Sequence, residues 1–125
     1  MYNILKMKKY TLSKKERLKK KKEFKKVFDN QYVGYGKYMV LLYSPNDLSY
    51  SRVGVIASKK VSKRAVDRNR AKRLLKEVFR LNKDLIKKGD YILIGRKNIL
   101  NINLKELQED FFNILKGKKL VNEEK

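Results

Sequence analysis

The chain carries a basic stripe on a predicted helix between residues 65 and 80. At 100° per residue, one side of this helix collects Asn69, Lys72, Arg73, Lys76 and Arg80. The opposite side collects the apolar set Ala71, Leu74, Leu75 and Val78. Such a helix can lie against a phosphate backbone, because its charges follow one side while the core holds the other. Arg68 and Arg70 flank the stripe and the acids Asp67 and Glu77 lie off it, so we favour RNA or DNA contact over simple solvation.

A second group combines aromatic and basic residues on the first predicted helix. Phe24 and Phe28 are predicted to share a face with Arg17, Lys20 and Lys21. Aromatic rings within a basic face can stack on unpaired bases while the cations hold phosphates, as in single-strand binding. The two rings could instead be core residues that dock the helix on a sheet, and composition alone slightly favours that interpretation. A partly exposed anchor could do both.

No residue pattern predicts an active site on the protein. The chain has no Cys and no His, which excludes thiol nucleophiles, disulfides, Cys/His metal sites and His-based acid–base chemistry. Asp47, Asp67 and Asp90 have no partner at a spacing suited to a metal pair or an acid–base pair, and we expect them in a turn, a helix start and a loop. The glycines at 34 and 36 lack the strand-then-helix setting of a phosphate loop and are interpreted as a turn. A stand-alone nuclease is therefore not expected.

The charge distribution indicates a polyanionic partner. The 125 residues include 34 Lys and Arg against 13 Asp and Glu, a net charge of +21. Residues 1–26 hold twelve basic and two acidic side chains, and residues 52–80 hold eleven and two. Two basic blocks around a nearly neutral apolar stretch are typical of charged surfaces on folded elements rather than of a disordered basic tail. No apolar run has the length of a signal peptide or membrane span, so we expect a cytoplasmic protein.

One small α+β domain over residues 1–125 must position these residues, with helices packed on a small sheet. The expected order is α-β-β-α-β-α, with residues 32–37 left unassigned. The first helix starts at a capping box of Ser13 and Glu16 and runs to residue 29, and the longest helix spans residues 63–81. Strands are expected at 38–44, 52–58 and 91–96, and the last helix starts at Asn103 and is closed by Gly117. Residues 1–10 and 118–125 are expected to be frayed tails, and Met7 is an alternative start to Met1.

Four segments, in order, resemble the protein subunit of bacterial ribonuclease P. Residues 65–80, AVDRNRAKRLLKEVFR, resemble the RNR signature of that family, and residues 52–61, RVGVIASKKV, resemble the strand and basic turn before it. Residues 23–28, EFKKVF, resemble the family's first-helix aromatic motif, and residues 90–97, DYILIGRK, resemble its last strand. The resemblance covers residues 10–116, and the RNR segment is its specific part.

The resemblance implies both a fold and a partner. The fold is related to the second domain of ribosomal protein S5, with a left-handed crossover between the strands that flank the RNR helix, where a right-handed one would be the default. The partner is a large catalytic RNA, and together the two cleave precursor tRNA to give the mature 5′ end. In this family the RNA holds the active site and its Mg²⁺, while the protein supports the RNA fold and binds the 5′ leader. The resemblance implies no metal or cofactor on the protein, no membrane partner and no small-molecule substrate.

The resemblance also assigns residues to two sites. The surface for the catalytic RNA comprises Arg68, Asn69, Arg70, Lys72, Arg73 and Lys76, with Lys59 and Lys60 of the basic turn. The leader cleft comprises Phe24 and Phe28 with Arg17 and Lys20 beside them, so we now favour the cleft over the core for the two rings.

Members of the family often add a tyrosine from the first strand to the leader cleft. Counting without gaps from Phe28 puts Leu42 at that position, with Tyr43 on the other face. Either the strand register differs by one or the aromatic is missing here, and we leave Tyr43 out of the site.

From the residues alone, two other classes of binding protein compete with this interpretation. A small basic ribosomal or RNA-chaperone protein would share the charge and even the fold, but it should favour long basic extensions over a patterned helix. A DNA-architectural protein should show an apolar wedge on a hairpin arm, and the sequence has no such segment.

Overall fold

The computed structural model describes residues 12–122, in which the strands span Tyr32–Tyr35 (β1), Met39–Ser44 (β2), Arg52–Ile56 (β3) and Asp90–Gly95 (β4). These strands form a central sheet in the order β1-β2-β4-β3. The α-helices of this part of the chain are α1 (Lys21–Asn30), α2 (Ala65–Asn82) and α3 (Leu104–Gly117), with 3-10 turns at Lys14–Glu16 and Ile99–Asn101. The fold is α+β, as the sequence predicts. None of these helices is long and apolar enough to cross a bilayer.

Helix α2 connects two parallel strands that lie side by side. β1 pairs antiparallel with β2, and β2 pairs antiparallel with β4. β3 runs parallel to β4, so the chain must leave β3, cross over through α2 and return beside it. The left-handed sense of this crossover stays an expectation of the resemblance.

Helices cover both faces of the sheet. The α2/α3 face forms the larger core, which includes Leu41, Leu75, Tyr91, Leu93 and Phe111. The α1 face forms a smaller cluster of Leu18, Val27, Leu42 and Ile92. The helix with the aromatic pair and the helix with the basic stripe therefore lie on opposite faces of one sheet.

Helix α2 buries the face that the sequence predicts. Ala71, Leu75 and Val78 are fully buried, and Phe79 beside them is buried as well. The helix starts at Ala65, two residues later than expected. Its apolar side fixes the helix on the sheet and leaves the other side to solvent.

Helix α3 also starts and packs as predicted. The side chain of Asn103 accepts a hydrogen bond from the backbone N–H of Glu106 at 2.9 Å, which caps the helix. Its inner face buries Leu107, Phe111 and Leu115.

The prediction of one helix from residue 13 to 29 is wrong. Ser13 and Glu16 do form a capping box, with the Ser13 N–H donating to Glu16 Oε1 at 2.9 Å, but the turn that they cap is a 3-10 turn that ends at Glu16. The next residues are extended, Arg17 forms a parallel bridge with Val53 of β3, and α1 starts only at Lys21.

A second cap explains the late start of α1. The carboxylate of Glu23 accepts hydrogen bonds from the backbone N–H groups of Lys19 and Lys20, at 2.8 and 2.9 Å. These amides would otherwise lack partners at the start of the helix. The chain therefore has two candidate helix starts, and the second one initiates the α-helix.

The unassigned residues 32–37 form strand β1 and the turn into β2. The interpretation as a turn is wrong for Gly34, which lies inside the strand. Glycine is needed there because an added Cβ would collide with the side chain of Ile114 on α3. The turn itself is held by Asp110 of α3, whose carboxylate accepts from the N–H groups of Lys37 and Tyr38 at 2.8 and 2.9 Å.

The chain stays packed beyond α3. The helix ends at Gly117, as predicted, but the residue with a left-handed backbone is Lys119, at φ 58°. Leu120 is buried in the core, and Val121 forms a bridge with Ile86. The expectation of a frayed tail is therefore wrong for residues 118–122. The tail expected at residues 1–10, with the alternative start, and residues 123–125 lie outside the described residues.

Candidate nucleic-acid interface

The outer face of α2 presents cations that the described chain does not neutralise. Asn69, Arg70 and Arg73 are exposed, and Lys72 and Lys76 are half-buried. Within residues 12–122, none of these four basic side chains forms an ion pair. Their charges are therefore available to an external anion.

Two arginines, Arg68 beside the predicted stripe and Arg80 within it, are engaged within the protein. Arg68 donates from Nη1 to the carbonyl oxygens of Ser62 and Lys63, at 3.0 and 2.8 Å, and so ties down the loop before α2. Arg80 pairs with Glu77, one turn earlier on the helix. The sequence interpretation that no acid compensates the stripe is therefore wrong at Arg80.

The basic turn after β3 stands at the amino end of α2. Lys59 and Lys60 are exposed. Ser58 holds the turn, because its carbonyl accepts from the N–H of Val61 at 3.0 Å and its Oγ accepts from the N–H of Lys60 at 3.2 Å. Val61 is buried, so the turn is anchored and its two lysines continue the basic surface along the chain.

The aromatic pair of α1 lies between the core and solvent. Phe24 is half-buried, and its ring lies directly on Gly54 of β3, where an added Cβ would come within 2.5 Å of Cε2 and Cζ. Phe28, one turn later, is 40% exposed. Val27 and Leu18 are buried and dock this segment on the sheet, so neither ring is its sole anchor and both keep surface for a ligand.

Arg17 and Lys20 do not share a helix face with these rings. Arg17 lies in the extended segment beside β3, and Lys20 immediately precedes α1. The predicted helical spacing between these cations and Phe24 is therefore wrong. The extended segment brings Arg17 to the site by another route, since Arg17 and Phe24 line the same groove at the edge of β3.

An ion-pair network holds the start of α1 against the sheet. Arg52 donates from Nε and Nη2 to the two carboxylate oxygens of Asp90, at 2.9 and 2.7 Å, and from Nη1 to Glu23 at 2.8 Å. Asp90 is fully buried at the start of β4, so it is an ion-pair residue and not the loop residue that we expected.

Glu23 and Arg52 of this network are held in their charged form. Hydrogen bonds from the two backbone N–H groups before α1, with the charge of Arg52 nearby, hold the pKa of Glu23 below its usual value. The hydrogen bonds to Asp90 raise the pKa of Arg52. Since Glu23 directly precedes Phe24, the network also holds the turn of α1 that carries Phe24.

Part of the sheet beside α1 is open and apolar. Tyr35, Val40, Ile94 and Ile56 are neighbours in one row across the four strands, and strand alternation points all of them to the α1 face. The three aliphatic residues are half-buried, and Tyr35 is 76% exposed. Sequence reasoning missed Tyr35 because β1 was unassigned.

The strand register answers the question left open at Leu42. Leu42 lies on the α1 face beside Val27, and Tyr43 packs against Tyr91 on the opposite face. Tyr43 therefore does not share a sheet face with Leu42 and Phe24, and this chain has no aromatic at the position of Leu42.

The comparisons with known proteins agree with one another. The family model for ribonuclease P matches residues 12–119. The ribonuclease P protein component of Syntrophus aciditrophicus is 40% identical over 93 residues, which cover 74% of this chain and 77% of that protein. The chain belongs to the ribonuclease P protein family.

Solved structures of ribonuclease P proteins share this fold. The Staphylococcus aureus protein matches with a TM-score of 0.75 at 28% identity, over 86% of this chain and 98% of that one. The Thermotoga maritima protein matches with a TM-score of 0.71 at 33% identity, over 82% and 96%. The resemblance seen in the sequence is confirmed.

Membership of the ribonuclease P family settles the class of protein. The chain has the role of the protein subunit of a tRNA-processing ribonuclease and works with an RNA partner in a ribonucleoprotein. The basic turn at residues 59–60 and the RNR residues at 68–70 of this ribonuclease P protein stand before and within α2. The competing ribosomal and DNA-architectural interpretations are no longer needed to explain its charge.

Proposed function

We propose that the protein binds the catalytic RNA of ribonuclease P through α2 and the 5′ leader of precursor tRNA through the α1 face of the sheet. The observation that carries this proposal is the placement of two basic surfaces on opposite faces of one sheet. The surface on the α1 face also contains the rings of Phe24, Phe28 and Tyr35. A protein that bound one RNA would not need two separate surfaces.

The outer face of α2 suits a folded RNA. Arg70 and Arg73 are exposed and one turn apart, so they can contact successive phosphates while the buried side of α2 keeps the helix in place. Lys59 and Lys60 extend the surface at the amino end of the helix. Each phosphate that these residues neutralise releases counterions, which makes binding strongly dependent on salt.

The α1 face suits an unpaired strand. The half-exposed rings of Phe24 and Phe28 can stack on bases, an interaction worth about 1–3 kcal/mol per base. Arg17 and Lys20 offer charges for the phosphates of the same strand. Mature tRNA has no leader, so this face should distinguish precursor from product.

The reacting groups and the Mg²⁺ are proposed to belong to the RNA partner. Two carboxylates at the α1 face, those of Glu23 and Asp90, are bonded to Arg52 and hold the start of α1 against the sheet. The protein would contribute binding energy from the leader, a part of the substrate that does not react. It would also neutralise RNA phosphates that Mg²⁺ would otherwise have to neutralise. We place this activity in the cytoplasm, as the sequence predicts.

Reconstitution with the ribonuclease P RNA of the same genome tests this proposal. At low Mg²⁺ we expect the RNA alone to cleave precursor tRNA poorly and the RNA with protein to cleave it efficiently at the 5′ junction. RNA-free protein should cleave nothing, with or without Mg²⁺. No stimulation by the protein, or cleavage by the RNA-free protein, would contradict the proposal.

A further inference from the structure

A pocket opens beyond the ends of α2 and α3, on the face of the sheet opposite to α1. Its volume is about 660 Å³, which falls in the range of ligand clefts, roughly 300–1,000 Å³. The residues that line this pocket, called here the α3 pocket, are Lys87, Phe112, Lys116, Lys119, Val121 and Asn122. Three cations and one aromatic ring therefore meet there, and among residues 12–122 no acid lines it.

Two short segments pair to form one wall of the α3 pocket. The N–H of Lys87 donates to the carbonyl of Leu120 at 2.6 Å, and the N–H of Asn122 donates to the carbonyl of Leu85 at 2.8 Å. Ile86 and Leu120 are buried in the core. The backbone that carries Lys87 is therefore fixed to the fold, and the pocket exists before any ligand binds.

The three lysines of the α3 pocket are exposed, and none of them forms an ion pair within the described residues. The nearby Lys118 differs, because its Nζ lies 4.8 Å from the centre of the Tyr32 ring. Lysines near the carboxyl end of a helix also offset the helix dipole, which accounts for Lys116. The dipole does not account for Lys87, which belongs to a separate segment, or for the half-buried ring of Phe112.

Lys119 occupies its position at a cost in backbone energy. Its φ of 58° lies in the left-handed region, which favours glycine. Residues held in such conformations cluster at functional sites. A lysine at this position, with its side chain in the α3 pocket, indicates that its charge is used.

We propose that the α3 pocket binds one unpaired nucleotide of the catalytic RNA, with its base against Phe112 and its phosphates on the three lysines. The proposal rests on the function proposed above and adds a contact at the other end of α2 from the RNR residues. A half-buried ring can be reached only by a base that is free of its helix, so a loop or a bulge of the RNA fits the pocket and a regular duplex does not.

The position of the α3 pocket favours the catalytic RNA over the 5′ leader. Helix α2 has 18 residues and is about 27 Å long, and it separates the RNR residues near its start from the pocket beyond its end. Phe112 packs against the larger core, whereas the leader is proposed to bind on the α1 face. A large folded RNA can contact both ends of α2 at once.

Single substitutions with a matched control test the proposal. Lys119→Gly removes one charge from the α3 pocket and should not lower the melting temperature, because glycine suits that backbone. Lys116→Ala removes a second charge. Lys105→Ala is the control, because Lys105 is exposed on the same helix and does not line the pocket. Each protein is titrated with the ribonuclease P RNA of the same genome at several salt concentrations, and each holoenzyme with precursor and mature tRNA.

We expect Lys116→Ala and Lys119→Gly each to weaken binding of the catalytic RNA. Each should also flatten the log–log salt slope, by about 0.7 for every phosphate of unpaired RNA that is no longer neutralised. Phe112→Leu, which keeps an apolar side chain but removes the ring, should weaken binding by roughly tenfold. Lys105→Ala should change neither quantity, and the ratio of precursor to mature tRNA affinity should stay at the wild-type value in all four variants.

Chemical probing of the RNA 2′-hydroxyl groups locates the nucleotide. At saturating protein, the wild type should protect one unpaired nucleotide from acylation, and that nucleotide should become reactive with Phe112→Leu. Arg70→Ala/Arg73→Ala, which changes the outer face of α2, should leave this protection in place. Protection that Phe112→Leu retains would contradict the proposal.

Two glutamates, Glu123 and Glu124, follow Asn122 in the sequence. Glu123→Gln/Glu124→Gln removes two negative charges next to the last lining residue. Binding of the catalytic RNA should be unchanged or stronger in this variant. Weaker binding would contradict an anionic ligand in the α3 pocket.

Three results would overturn the α3 pocket alone. Wild-type affinity and salt slope in all pocket variants would leave its lysines to an acidic protein segment. Equal effects of Lys105→Ala and Lys116→Ala would show a general effect of charge. A lower ratio of precursor to mature tRNA affinity, with unchanged binding of the catalytic RNA, would assign the pocket to the leader. A wild-type protein that does not bind the catalytic RNA would overturn the proposed function together with the pocket.

Discussion

Gly54→Ala should disturb the leader cleft without changing any charge. The new Cβ would lie 2.5 Å from Cε2 and Cζ of Phe24 and 3.4 Å from Cβ of Leu18. Non-bonded carbon atoms prefer separations of about 3.5–4.0 Å, so the ring must move by about 1 Å. Because Phe24 is half-buried at the sheet edge, it can swing toward solvent and leave its position on β3.

The structure sets the size of the two expected effects. Overpacking a site usually costs about 1–3 kcal/mol of stability, and we expect the lower end because the ring can move. A displaced ring no longer stacks on a base, so the affinity of the holoenzyme for precursor tRNA should fall by roughly tenfold, or about 1.4 kcal/mol. Affinity for mature tRNA should hardly change.

A second glycine in the sheet provides the control. An added Cβ at Gly95 of β4 would have its nearest neighbours, on Ile99 and Leu75, at 3.6 and 3.7 Å, which is ordinary van der Waals distance. Gly95→Ala should therefore leave both tRNA affinities and the melting temperature near the wild-type values. The same reconstituted assay serves all variants.

Combining Gly54→Ala with Phe24→Ala shows whether the glycine acts through the ring. Phe24→Ala alone should weaken precursor tRNA binding by roughly tenfold, and adding Gly54→Ala should change little more, because the clash is gone. A further loss of affinity in the double variant would refute this reasoning. Equal losses for precursor and mature tRNA in Phe24→Ala, with a stability loss of about 3–5 kcal/mol, would make Phe24 a core anchor.

Arg70→Ala/Arg73→Ala should flatten the salt dependence of binding to the catalytic RNA, by about 0.9 in log–log slope for each phosphate of a helical RNA that is no longer neutralised; an unchanged slope would remove both arginines from the interface. The pKa of Glu23 is lower in the folded protein than its usual value of 4.5, so the bonds of the Glu23 carboxylate stabilise the fold at a pH above 4.5. This stabilisation is lost as the pH falls through the lower pKa of the folded state. Glu23→Gln should therefore reduce the fall in melting temperature between about pH 5 and pH 3, and an unaltered pH profile would contradict this. Gln31 and Lys119 have positive φ angles of 56° and 58°, a conformation that costs most residues about 1–2 kcal/mol. Changing either one to glycine should raise the free energy of unfolding by about 0.5–1 kcal/mol after the entropy cost of glycine is subtracted. Urea denaturation measures this free energy, and a lower value for the glycine variant would show that the backbone is not strained at that residue.

Local sequence pattern predicts the elements whose cause is local. The apolar spacing of Ala71, Leu75 and Val78 and the cap at Asn103 needed no distant residue, and both helices form as expected. The start of α1 is different, because the sequence offers two plausible helix starts. One is the capping box at Ser13, and the other is the cap that Glu23 provides. The second start has a contact that local pattern does not show, because Arg52 donates to Glu23 from a strand far along the chain.

Strand β1 and the groove at the edge of β3 also depend on distant residues, which local sequence pattern does not show. Gly34 suggests a turn from its type alone, and only Ile114 of α3, packed against it, explains why glycine is needed in a strand. A helical projection places Lys72 and Lys76 in the same basic stripe as Arg73. Only the position of the β3 edge shows that the two lysines face Phe24.

Four acids of the described chain, Glu16, Glu23, Asp90 and Asp110, join segments that are distant in the sequence. Glu16 pairs with Lys83 at the end of α2, at 2.9 Å, and Asp110 holds the turn between β1 and β2 from α3. Glu23 and Asp90 meet on Arg52. With a net charge of +21, electrostatic self-repulsion opposes the compact state. Acids placed at these contacts between elements therefore stabilise the fold. No acid lines the groove at β3, and the cations of that groove and of the outer face of α2 are left for RNA.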